Sequence, residues 1–206
     1  MLISDALGCV FVHVQKTGGE SIERSLLEAD PAAITELRGL PAWEDPLKRR
    51  HLFAADLRAH LGASRWEESF SFAFVRNPWE RLVSWYEMAV TRPTNDFHRH
   101  VIDTTSSFAD FVGTCTTGLA AKTTFNQVDY IDGPGGEGQI VDFVGRFESL
   151  AADWAEVRSR LGLPAEPLGH DNRTDHRPYR ELYDDATRAI VGGRFARDIE
   201  RFNYEF

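Results

Sequence analysis

Two short stretches carry residue types from which chemistry can be made. The first is HVQKTGGES, residues 13–21, where Lys16, Thr17, Gly18, Gly19 and Ser21 stand between an apolar strand and an amphipathic helix. A helix N-terminus presents unpaired main-chain N–H groups and a partial positive charge, and glycines let the backbone curl around an anion. A lysine and hydroxyls at the same point add donors suited to phosphate or sulfate. Lys16 to Ser21 therefore reads as an oxyanion cradle. The second stretch is VRNPWERLVS, residues 75–84. Here Arg76 ends a strand, at the edge where open α/β sheets take ligands. On a helix turning ~100° per residue, Ser84 lies roughly opposite the face of Trp79, Leu82, Val83 and Tyr86, on the side of Asn77 and Arg81.

The order of residues in the first stretch separates it from the triphosphate loop G-x-x-x-x-G-K-[ST]. There the lysine closes the loop; here Lys16 precedes the glycines, and Gly8, the upstream glycine, lies before the strand. An ATPase or GTPase is disfavoured on order alone. A nucleotide kinase with an atypical phosphate loop stays as an alternative. So does a non-catalytic module that binds a nucleotide or a sulfated ligand.

The elements that must position these residues follow from periodicity. Residues 9–14 (CVFVHV) and 70–75 (FSFAFV) are nearly continuous apolar runs, the pattern of a parallel strand covered on both faces. Residues 140–147 (IVDFVGRF) read as a third strand. Ile22, Leu26 and Leu27 recur at helical spacing, a short helix is expected over Ala54 to Leu61, and Asn77-Pro78 is a helix start with asparagine as cap. Residues 91–107 look like a loop, with a short helix over Phe108 to Val112. Another helix is expected over Ser149 to Leu161, then a polar loop over Gly169 to Pro178. A last helix carries Ile190, Phe195, Ile199 and Phe202, disturbed at Gly192-Gly193. Strands alternating with helices, without a linker-like stretch, predict one domain over residues 1–206: a three-layer α/β fold whose central, mainly parallel sheet is flanked by helices.

Composition narrows the partners. The 206 residues carry a net charge of −9, which weighs against a generic nucleic-acid or membrane-surface binder, and a heparin-like polyanion is a poor fit. Lys48-Arg49-Arg50-His51 is the dense basic run. Cys9 and Cys115 form no disulfide framework and have no metal-ligand spacing, so no metal is expected. No apolar run reaches the ~20 residues of a membrane span, and the start lacks signal-peptide features. A cytoplasmic location is expected.

HVQKTGGESI, FVRNPWERLVSWY, VDFVGRFESL and the closing HRPYRELYDDATRAIVGGRFARDIERFNYEF together resemble a family, in order and spacing over nearly the whole chain. They resemble the sulfotransferases that use 3′-phosphoadenosine 5′-phosphosulfate, in the small group of carbohydrate-type and bacterial enzymes. The resemblance implies a P-loop nucleotide-hydrolase-like fold. It also implies transfer of a sulfuryl group to a hydroxyl of a small molecule, lipid or glycan, leaving 3′,5′-bisphosphoadenosine. It assigns Lys16, Thr17, Gly18, Gly19, Glu20 and Ser21 to the 5′-phosphosulfate loop and Arg76 with Ser84 to the 3′-phosphate. Two departures stand out. Gln15 replaces a usual proline, and Glu20 replaces a usual hydroxyl residue, so Glu20 is expected to point outward and complement the helix dipole. The segment HDNRTDHRPYR resembles the family's late basic loop, which closes over the nucleotide, so the resemblance makes Arg173 and Arg177 candidates there, and Arg146 and Glu148 read as structural support.

The acceptor hydroxyl needs a base. His51 is the first choice, because imidazole titrates near working pH and the segment between the two cofactor loops is where relatives place their base. His13 on the first strand is the second choice, its commoner role being that of a packed strand histidine. Lys16 can follow negative charge from the transferring group to the leaving phosphate.

Overall fold

The apolar runs become neighbouring inner strands of a four-stranded sheet with the spatial order β1 (Leu2–Ser4), β2 (Cys9–Val12), β3 (Phe70–Val75), β4 (Phe143–Arg146). β1 runs antiparallel to β2, whereas β2–β3 and β3–β4 are parallel. The computed structural model describes residues 1–44, 49–93, 96–115, 125–169 and 178–206, the side chains of 96, 97 and 115 aside. Helices precede and follow the strands: α1 (Gly19–Ala29), α2 (Pro41–Glu44), α3 (Ala54–Leu61), α4 (Ala63–Glu68), α5 (Pro78–Thr91), α6 (Asp96–Thr104), α7 (Phe108–Cys115), α8 (Val128–Ile131), α9 (Leu150–Arg160), α10 (Asp185–Arg194) and α11 (Ala196–Phe202). The result is a mixed α/β architecture with a central, mainly parallel sheet flanked by helices.

The chain divides into two compact units, Met1–Val75 with Gln127–Arg173 and Arg76–Asn126 with Thr174–Phe206. The first holds the sheet. Strand alternation sends Leu2, Cys9, Phe11, Phe72 and Phe74 to one face, where they are buried with Ile22 and Leu26 of α1 and Trp154 and Val157 of α9. Phe11 stacks on its register partner Phe72 with centroids 5.1 Å apart. Such pairs add about 0.5–1.5 kcal/mol beyond the area they bury. Val10, Val12, Ala73 and Val75 point the other way and are equally buried, which explains why these strands lack a polar alternation. Because β2 and β3 are parallel, their carboxyl ends leave the same edge of the sheet, one toward Lys16 and the other toward Arg76.

The second unit is helical. Asn77 Oδ1 accepts the Trp79 main-chain N–H at 3.0 Å, Pro78 takes the first helical position, and α5 starts where the sequence predicts. Trp79 Nε1–H donates to the Arg188 carbonyl, and the Tyr183 hydroxyl donates to the Trp79 carbonyl. Arg81 is buried with its guanidinium donating to the Phe125 carbonyl, so α5 is covered on more than its apolar stripe.

Several expectations need correction. Residues 91–107 are not a loop throughout, since α6 occupies Asp96–Thr104. Its buried His98 and Val101, one turn apart, are too sparse a signal against a polar background. The third strand begins at Phe143 rather than Ile140, because the Asp142 carboxylate accepts both the N–H and the hydroxyl of Ser71 at 2.8 Å, occupying the position of a ladder bond. The last helix breaks at Phe195, not at Gly192-Gly193. β1 and the short helix α4 are additional elements. The polar loop expected over Gly169 to Pro178 falls mostly outside the described residues.

Candidate active site

Between β2 and α1 the chain turns by adopting left-handed conformations twice. Lys16 has φ +68° and Gly18 has φ +85°. For lysine this region is sparsely populated and costs on the order of 1–3 kcal/mol, so the surroundings must hold it. Part of that hold is Thr17, which is fully buried and whose hydroxyl donates to the Val14 carbonyl at 2.9 Å. The hydroxyl expected to face an anion thus braces the turn. Gly18 is the N-cap residue of α1 and, as a glycine, brings no side chain to cap it. The first-turn amides therefore keep the character of an anion-binding helix end. Glu20 is exposed in that first turn, as expected, and Ser21 is partly buried.

Gly19 is required for a different reason. A Cβ built on it would lie 2.2 Å from the His13 imidazole, so the buried ring fills the space that a side chain would need. His13 is in turn held on two sides. Its Nδ1 lies 3.2 Å from Glu23 Oε1, and its carbonyl oxygen is 2.9 Å from His51 Nδ1. A carbonyl can only accept, so His51 Nδ1 carries the proton and Nε2 is the lone-pair nitrogen of the neutral ring. The two rings meet edge to face, 4.6 Å between centroids. This is the arrangement that a general base needs: one nitrogen tethered, the other able to receive a proton.

Charge is concentrated behind the rings. The Met1 amino group donates to Glu23 Oε1 at 2.8 Å and to the Arg50 carbonyl at 2.7 Å, and the Arg50 guanidinium stands 3.6 Å from Glu23 Oε2. Burial alone would raise the Glu23 carboxyl, but the contacts with His13 and the Met1 ammonium outweigh it and bring it down to about 2. Burial lowers His13 against the opposing pull of Glu23. Burial, reinforced by His13 and the Met1 ammonium, puts His51 well below the ordinary imidazole range. Both histidines are therefore neutral near pH 7.

In the second unit Arg76 is buried and its guanidinium contacts the Glu80 carboxylate at 2.9 Å. Ser84, partly buried, lies one helical turn beyond Glu80, at the same i, i+4 spacing that joins Arg76 to Glu80. Arg173, Arg177 and Lys48 lie outside the described residues. The Arg146 main-chain N–H donates to the Asp153 carboxylate at the end of β4. Sequence reasoning missed Glu23 and Glu80. The signal for Glu23 was its i+4 spacing from Gly19, which places it on the glycine's side of α1.

Comparison with known proteins gives one family and one relative. The model of the family described as "Sulfotransferase family" matches residues 1–205. A protein of Archaeoglobus fulgidus described as uncharacterized is 32% identical over 126 residues, 61% of this chain and 95% of that protein. No solved structure matches. With its lysine-glycine turn, its tethered histidine and a family match over essentially its whole length, the chain belongs to the sulfotransferase family.

Proposed function

We propose that the protein transfers a sulfuryl group from 3′-phosphoadenosine 5′-phosphosulfate to a hydroxyl of a small molecule, lipid or modest glycan. It does so as a single domain over residues 1–206, with a three-layer, P-loop-like fold and a cytoplasmic location. The observation that carries this reading is the Lys16–Gly19 turn, which joins a parallel strand to an α-helix whose N-cap residue is a glycine, in a member of this family.

The residues fit such a donor. The α1 amides of Gly19, Glu20 and Ser21, the Ser21 hydroxyl and Lys16 suit its 5′-phosphosulfate, with Thr17 and Gly18 shaping the turn. Arg76 and Ser84 suit its 3′-phosphate, with Arg76 exchanging Glu80 for the phosphate, and Arg173 and Arg177 supply further positive charge. When bound, the donor supplies the sulfuryl group and leaves as adenosine 3′,5′-bisphosphate. The acceptor oxygen forms the new bond to sulfur as the bridging sulfur–oxygen bond breaks, and the acceptor proton passes to His51 Nε2. Lys16 neutralises the charge that grows on the leaving phosphate. Because His51 is held neutral, it is ready to take that proton at pH 7.

Two measurements test this. Calorimetry is expected to give at least tenfold tighter binding of adenosine 3′,5′-bisphosphate than of ADP; equal affinities overturn the roles of Arg76 and Ser84. Screening of hydroxylated acceptors with labelled donor is expected to reveal turnover. Nucleotide binding with no transfer to any acceptor would make the protein a binding module.

A further inference from the structure

Glu23 faces none of the phosphate groups in this reading, yet it is buried at the point where the turn and the histidines meet. Its carboxylate stands 3.2 Å from His13 Nδ1, a close polar contact without hydrogen-bond alignment that keeps the ring on the α1 side. Held there, the His13 ring lies where a Gly19 side chain would be, and so supports the first turn of α1 from beneath. The same residue's carbonyl receives the His51 Nδ1–H at 2.9 Å. One carboxylate thus sets the position of His13, and His13 touches both halves of the chemistry: the anion turn through its ring and the base through its carbonyl.

We propose that Glu23 is a positioning residue for sulfuryl transfer, fixing the His51 tautomer through His13. This rests on the sulfotransferase reading given above. The logic is that of a carboxylate that orients a catalytic imidazole, relayed here through a second histidine and a main-chain carbonyl. The charged and titratable groups facing Glu23 and the rings are the Met1 amino group, His13, Arg50 and His51, with Glu20 acting on His13 from the same helix turn. Of these, the Met1 ammonium and the Arg50 guanidinium already engage the carboxylate oxygens. An amide at position 23 keeps one oxygen for His13 and the ammonium, as Oε1 serves both now, but that oxygen carries no charge and the NH2 group would face Arg50. The relay would loosen without the loss of side-chain volume.

The test separates positioning from bulk structure. In the wild-type protein, ¹⁵N NMR of labelled histidines, with His51 assigned by the signal lost in His51→Ala, is expected to show the Nδ1–H tautomer at neutral pH. Finding Nε2–H at His51 overturns the proposal without any need for a folded Glu23 variant or for turnover. In Glu23→Gln, His51 is expected to populate both tautomers. The kcat should fall about 10- to 100-fold, the range seen when residues behind a functional shell are removed, while affinity for adenosine 3′,5′-bisphosphate stays within about threefold. Unchanged kcat with a single tautomer overturns it. So does a parallel loss of kcat and nucleotide affinity with the tautomer intact, which marks a purely structural residue. If the wild type transfers no sulfate at all, the sulfotransferase reading fails separately, and with it the catalytic purpose of a relay whose geometry the NMR measurement still decides.

Discussion

The Lys16 turn and the start of α5 follow neighbouring parallel strands, yet they are built on different principles. The turn works with its backbone. Its conformation depends on left-handed Lys16 and Gly18, on the absence of a Cβ at Gly19, and on a Thr17 hydroxyl spent inside the loop. The α5 segment works with side chains on an ordinary capped helix, where Arg76 is already engaged by Glu80. A backbone site is preorganised and unforgiving of substitution. A side-chain site can exchange one anionic partner for another, at the cost of breaking the pair it has.

The sharpest way to break this comparison is to remove the side chain that the turn region does depend on. His51→Ala is expected to lower turnover about 10²–10⁴-fold, the range of a general base, with nucleotide affinity little changed. Retention of most activity would move the base elsewhere, and His13→Ala would be examined next. The pH profile sharpens the same point. A base must be neutral, and His51 is held below the ordinary ~6.5 of imidazole, so wild-type turnover is expected to stay flat through pH 6.5 and to fall only at lower pH. An acid limb centred at or above 6.5 would contradict the buried environment. Stability follows the same sign. With His13 and His51 both lowered in the folded state, the unfolded chain takes up protons first, so stability is lost as pH drops below ~6.5.

The second prediction addresses α5. Arg76→Ala should weaken adenosine 3′,5′-bisphosphate about tenfold or more, since a charge-assisted contact contributes roughly 1.5–3 kcal/mol, while AMP, which lacks the 3′-phosphate, is nearly unaffected. Calorimetry with both ligands decides it; an equal loss for both would make Arg76 a structural residue of the Glu80 pair. The smallest effect concerns the helix start. Asn77→Ala removes the cap to Trp79 and the donor to the Glu205 carbonyl. It should cost about 1 kcal/mol, a fall of about 2–4 °C in Tm for a chain of this size, read by thermal unfolding. No measurable fall would mean that packing around Trp79 alone sets the start of α5.

The same contrast explains what could be read from the residues alone. β3, α3 and the Asn77-Pro78 start were legible because a continuous apolar run, a glycine stop and a cap-proline pair are local signals. β1 escaped because three residues carry no period, and α6 because its few buried positions sit among charged residues. In the turn, the order of lysine and glycines was visible, but the reasons for two of its residues were not. Gly19 is explained by a histidine on the preceding strand, and Thr17 by a carbonyl within the turn. The spacing of Glu23 from Gly19 was visible, but its role was not, for the same kind of reason. Its partners are the Met1 amino group, His13 and Arg50, which only the fold brings to one helix face.

The register of the parallel strands also sets an order of events in folding. Cys9 pairs with Phe70, and Phe72 with Phe143, so each parallel ladder closes over a long stretch of chain that must be collected first. Loop-closure entropy is met before such contacts return anything, and topologies of this kind fold slowly. Lys16 leaves a ribosome before β3 does, and β2 has only the three-residue β1 to pair with until the chain beyond residue 70 has emerged. The strained turn, whose left-handed lysine persists only under constraint from its surroundings, is therefore synthesised well before the strand that completes its sheet, and is among the last segments to take its working shape.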